Sequence, residues 1–129
     1  PTPFNTILWK SIIKTNEGFY YGDYSLLDSK PTIEFHYEKN DIAFIDNKKK
    51  ITALAPFFNF AEGFALARKE NNTMYIYGTK FGPINIENGK ADFFFPLVFN
   101  EDGTYELSQK RPDDFSKIFR QLFIRLKGN

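Results

Sequence analysis

The chain has 129 residues, a length that suits one domain burying roughly two-thirds of its unfolded surface. Its 19% aromatic content, mostly 16 Phe, argues against disorder, because that much apolar area offsets the entropy of ordering the chain. A net charge of +1, from 17 basic and 16 acidic residues, argues against a generic polyanion binder, while zero Cys and one His exclude disulfide frameworks, thiolate zinc sites and multi-histidine metal sites built from this chain alone.

Residues 6–15 read as a strand, with Ile7, Trp9 and Ile13 on one parity and Leu8, Lys10, Ile12 and Lys14 on the other. Asn16-Glu17-Gly18 is a turn signal and residues 19–27 resume as a second strand, so the first 27 residues predict a β-hairpin. After the loop Asp28-Ser29-Lys30-Pro31, residues 32–37 alternate: Ile33, Phe35 and Tyr37 face one way, Thr32, Glu34 and His36 the other. That is the pattern of a half-buried strand with His36 on its water-facing side.

Residues 40–47 are polar around a small apolar island at 42–45 and predict a link to a helix over 48–60, where Ile51, Leu54, Ala55 and Phe58 have helical spacing. Lys48-Lys49-Lys50 reads as the solvated first turn of that helix. Pro56 removes a backbone donor, so it either kinks the helix or starts a second short turn, and Gly63 is its stop. Residues 64–68 and 74–77 flank a polar loop and predict a second hairpin. Asn88-Gly89 signals another turn, and residues 91–99 form one strongly apolar strand that Pro96 marks as an edge or bulged strand. Residues 100–103 are a hairpin loop, from which residues 104–109 return.

The clearest periodicity comes last. Phe115, Ile118, Phe119, Leu122, Phe123 and Leu126 line one face of a predicted helix, with Asp113 and Asp114 at its start, Arg125 and Lys127 at its end and Gly128 after it. Together these elements predict an α+β fold in one domain over residues 1–129: a curved antiparallel sheet of hairpins, the C-terminal amphipathic helix packed on its apolar face, and one further helix in mid-chain. There is no run of about 18 apolar residues and no signal-peptide pattern.

No catalytic set emerges from the motifs. Glycine-rich phosphate loops and a nucleophile elbow are absent. His36 could serve as a general base or metal ligand, but no second histidine can join it, and a polar residue on a solvent-facing strand is the simpler account. Asp23, Asp28, Asp41, Asp46 and Asp92 are scattered and read as loop caps. Tyr20, Tyr21, Tyr24, Tyr37, Tyr75 and Tyr77 lie on predicted strands. They could stack bases, line a pocket for an apolar ligand, or belong to a Phe/Tyr core with phenols at the surface. The near-neutral charge disfavours nucleic acid.

Pro1-Thr-Pro-Phe-Asn-Thr-Ile-Leu-Trp-Lys10, Gly18-Phe-Tyr-Tyr-Gly-Asp-Tyr-Ser-Leu-Leu-Asp28 and Ile33-Glu-Phe-His36 resemble the tail of a bacterial family, the membrane-bound metal-dependent hydrolases or YdjM-like inner-membrane proteins. Phe60-Ala-Glu-Gly63-Phe and Gly78-Thr-Lys-Phe-Gly82 are similar to its later landmarks, although the latter lacks the family's acid and carries Lys80 in place of Arg. The resemblance implies a block of transmembrane helices upstream of Pro1, which would be this segment's partner in the bacterial inner membrane, with any metal held by that block and no catalytic, cofactor or metal residue in this chain. It implies a non-catalytic extramembrane domain that binds, gates or scaffolds. A free-standing binding module with an aromatic pocket for an apolar ligand is the alternative.

Overall fold

The computed structural model describes residues 7–93 and 96–108, together with 120, 122–125, 127 and 128. It is an α+β fold built from antiparallel sheets. β1 (Leu8–Lys14), β2 (Gly18–Ser25) and β3 (Phe35–Lys39) form a three-stranded sheet in that order. β4 (Ala65–Glu70), β5 (Thr73–Gly78), β8 (Leu97–Phe99) and β9 (Tyr105–Leu107) form a second sheet, and β6 (Asn85–Glu87) pairs with β7 (Lys90–Asp92) in a short ribbon. The expected single curved sheet is therefore divided, and the second sheet is the middle layer of the molecule.

The middle position is written into β4, where Ala65, Leu66 and Ala67 are all buried. A strand buried on both faces loses the in–out alternation of a water-facing one. Ala65, Ala67, Ile76, Leu97 and Phe99 pack with Ile45, Leu54 and Ala61 from the helical segment. Leu66 and Tyr77 point the other way and pack with Phe19 and Tyr21 of the three-stranded sheet and with Ala91 and Phe93.

The helical segment starts earlier than the spacing over 48–60 predicts and is divided into short pieces instead of one mid-chain helix. α1 (Ile42–Lys48) starts at Asp41, whose carboxylate accepts from Phe44 N at 3.1 Å. A 3-10 turn over Thr52–Leu54 then leads into α2 (Ala55–Ala61), with Pro56 in its first turn. Pro56 starts a helix here, where its missing N–H costs nothing. Lys48 consequently sits in the last turn of α1, not the first turn of a later helix, with Nζ 5.2 Å and 5.1 Å from the Phe44 and Phe99 ring centres.

The expected hairpins are present, β1 with β2, β4 with β5 and β8 with β9. β4 and β5 extend to Glu70 and Thr73, leaving only Asn71 and Asn72 in the turn, both with positive φ (48° and 65°), the conformation of a type I′ hairpin. The strand expected over 91–99 is two short strands, β7 and β8, that belong to different sheets; Pro96 precedes β8. Most of the residues expected to form the C-terminal helix lie outside the described residues, and residues 120 and 122–125 are helical. Among the described residues, no helix is long and apolar enough to cross a membrane.

Candidate functional site

The strand carrying the lone histidine is turned over relative to its sequence pattern. Phe35 and Tyr37 are exposed, whereas Glu38 is buried and His36 is half-buried on the side facing the second sheet. The physical reason is a partner supplied from elsewhere in the chain. Arg68 of β4 and Ala91 of β7 meet Glu38 between the sheets, so the polar parity of β3 is the satisfied interior parity.

Glu38 Oε1 is the hub. It accepts from Ala91 N at 2.7 Å, lies 2.8 Å from His36 Nε2 and stands 3.4 Å from Arg68 Nη1. Arg68 also donates to the Ala91 carbonyl at 2.8 Å and to the Tyr77 hydroxyl at 3.2 Å, and its guanidinium covers the Tyr77 ring at 4.8 Å. Its Nε is 2.8 Å from Glu70 Oε1 without hydrogen-bond alignment, and Lys90 Nζ reaches the same oxygen at 2.7 Å. These contacts clamp β3, β4, β5 and β7 together.

Two phenols share this layer. Burial pushes the Tyr77 hydroxyl up to about 12, with Arg68 opposing part of the rise. Burial also pushes the Tyr21 hydroxyl well above its ordinary value, and that hydroxyl sits near Thr79 without an aligned hydrogen bond.

A cleft of about 680 Å³ opens beside the cluster, lined by His36, Glu34, Asp23, Lys30, Arg125 and Ile86 among others. Its strongest cation is already engaged. Arg125 makes a two-pronged ion pair with Asp28 (2.6 Å and 2.8 Å) and donates to the Asp23 carbonyl at 2.6 Å. His36 therefore meets one carboxylate and no wider ligand set: among the described residues, no three His, Cys, Asp or Glu side chains are grouped to hold a metal. With Glu38 Oε1 shared among three donors, the cluster works as a structural clamp between sheets.

The opposite face of the three-stranded sheet is a different surface. Strand register aligns its outward side chains in rows: Trp9 beside Tyr24; Ser11 beside Gly22 and then Phe35; Ile13 beside Tyr20 and then Tyr37; and, at the far edge, Gly18 beside the exposed Lys39. Trp9 is 57% exposed, and Ile13, Tyr20, Phe35 and Tyr37 are exposed with it. The Tyr20 and Tyr37 ring centres are 4.9 Å apart. Gly22 paves the middle row: a Cβ there would lie 2.5 Å from Ile33 Cγ2 and 3.0 Å from the Phe35 ring, so those two side chains rest on bare backbone.

The six tyrosines singled out from the sequence thus separate. Tyr21 and Tyr77 belong to the inter-sheet core with Tyr75 against it, while Tyr20, Tyr24 and Tyr37 share the outer face. Only Tyr21 of the six lines the cleft. Sequence reasoning missed Glu38, Arg68, Glu70 and Lys90, because the links that join them, Glu38 to Arg68 and Glu70 to Lys90, are distant in sequence. It also missed the outer face, although Gly18, Tyr20, Gly22 and Tyr24 alternate on one parity while Phe19 and Tyr21 occupy the other, the mark of a strand with two apolar faces.

Compared with known proteins, the chain matches no family model, no curated protein and no solved structure.

Proposed function

We propose that this chain is a non-catalytic extramembrane domain that binds, gates or scaffolds for a membrane-anchored protein resembling the metal-dependent hydrolases of the bacterial inner membrane. Any metal belongs to the anchored part. The observation that carries the reading is the outer face of β1, β2 and β3. It is an exposed, register-aligned surface, mostly of aromatic and aliphatic side chains and suited to contact.

Fractionation of cells carrying the native gene, probed with an antibody to this chain, tests it. The protein should remain in the membrane pellet after alkaline carbonate washing and run larger than the 129-residue chain. A species of this size released by carbonate would overturn the reading, as would hydrolytic turnover by the 129-residue chain itself.

A further inference from the structure

We propose that the outer face of β1–β2–β3 lies against the headgroup zone of a lipid bilayer. A sheet face normally turns either polar residues to water or apolar residues to a covering layer. This one does neither. Three of its rows contain Trp9, Tyr24, Ser11, Gly22, Phe35, Ile13, Tyr20 and Tyr37, none of them charged, and the exposed Lys39 stands in a fourth row at the edge away from Trp9.

The chemistry of the row members selects the occupant. Trp and Tyr combine an apolar body with a polar tip, which suits the boundary between acyl chains and headgroups better than either water or a dry core. Here one indole and three phenols surround Phe35, Ile33 and Ile13.

The end of the face where Trp9 and Tyr24 lie continues into a turn bearing Leu26 and Leu27, each 57% exposed. Two adjacent leucines on a turn beside interfacial aromatics form a small apolar tip that can enter the acyl region. Since the three rows nearest this tip are uncharged and Lys39 stands at the opposite edge, attraction to neutral lipid needs no anionic headgroup.

This inference rests on the extramembrane reading in one respect. Eight residues precede Trp9, a reach of at most roughly 28 Å when extended. An anchor immediately upstream would hold Trp9 within that distance of the bilayer.

The chain contains a single tryptophan, and it stands on this face, so its emission reports the contact directly. The 129-residue chain, titrated with phosphatidylcholine vesicles to millimolar lipid, should show a blue-shifted emission, quenching by brominated lipid and co-sedimentation insensitive to salt. Tyr20→Ser with Tyr37→Ser should weaken binding several-fold at unchanged circular dichroism. Leu26→Ser with Leu27→Ser, outside the strands, should do the same and serves if the first pair disturbs folding.

Unchanged emission and no co-sedimentation would overturn the proposal. So would a blue shift that follows protein concentration without lipid, which would make a second copy the occupant. Binding confined to anionic vesicles and abolished by salt would also overturn it, since surface lysines would then be responsible. Failure here with a carbonate-resistant native protein would sink the lipid contact alone; vesicle binding with a carbonate-released protein would sink the anchored reading alone.

Discussion

The two sides of the β4–β5 hairpin make an instructive contrast. Toward the helices, Ala65, Ala67 and Ile76 meet Ile45, Leu54, Leu97 and Phe99 in a layer of apolar side chains, with Phe44, Phe57 and Phe58 packed against it. Toward β1–β3, the same two strands present Leu66, Arg68, Tyr75 and Tyr77 to Phe19, Tyr21, Glu38 and Phe93. The first layer gains stability in proportion to buried area and tolerates small changes of shape. The second holds charges that are stable only as a set, so it specifies which strands face one another and is brittle when one member is lost.

The sharpest way to break the contrast is Arg68→Ala. It leaves Glu38 and Glu70 with fewer counter-charges in a largely buried layer, and the expected loss is about 3–5 kcal/mol in urea unfolding. Replacing the pair together, Glu38→Leu with Arg68→Met, should restore a good part of that loss; a double variant no more stable than Arg68→Ala would contradict the account.

Alkaline pH should attack the same side. Tyr77 ionises near pH 12 in the fold and Tyr21 is also raised, against an ordinary value of 10.0. Between those values the unfolded chain has lost protons that the folded chain retains. Stability from these groups is therefore full below pH 10 and falls as pH rises toward the folded values, by roughly 1 kcal/mol per pH unit for each phenol. Denaturation midpoints from pH 8 to pH 11.5 should show that decline, with a shallower slope for Tyr77→Phe.

On the hydrocarbon side the effects shrink. Ile76→Val should cost about 1 kcal/mol, the ordinary result of removing one buried methyl group. Lys48→Ala, which removes a cation over Phe44 and Phe99 and a favourable charge at the end of α1, should cost below about 1 kcal/mol and less at high salt.

The same contrast explains what could be read from the sequence. Hairpins with local turn chemistry were legible: Gly18 after Asn16-Glu17, Asn71-Asn72, and Asn100 to Gly103 all sit where the chain turns. The α+β class followed from them. The orientation of β3 was not legible, because Ile33, Phe35 and Tyr37 form the more apolar parity, and the reason Glu38 faces inward is an arginine thirty positions later. α1 was hidden because its apolar island is only four residues long. The break before β8 was signalled by Pro96, but nothing local says that the two halves join different sheets. The outer face escaped notice because amphipathic reasoning assumes that one parity of a strand is spare, and in β2 neither is.

The turn over residues 25–28 gathers both ends of the described chain. Leu26 N bonds the Ile7 carbonyl, Asp28 holds Arg125, and Gly128 fits so closely against Leu27 that a Cβ there would strike its carbonyl. Tension applied between the two ends would pass across this short span and largely bypass the sheets, so such a pull would first peel the terminal segment from its seat. Joining the ends with a brief glycine-rich bridge, and reopening the chain at Asn71-Asn72, should yield a circular permutant with the same two packed layers.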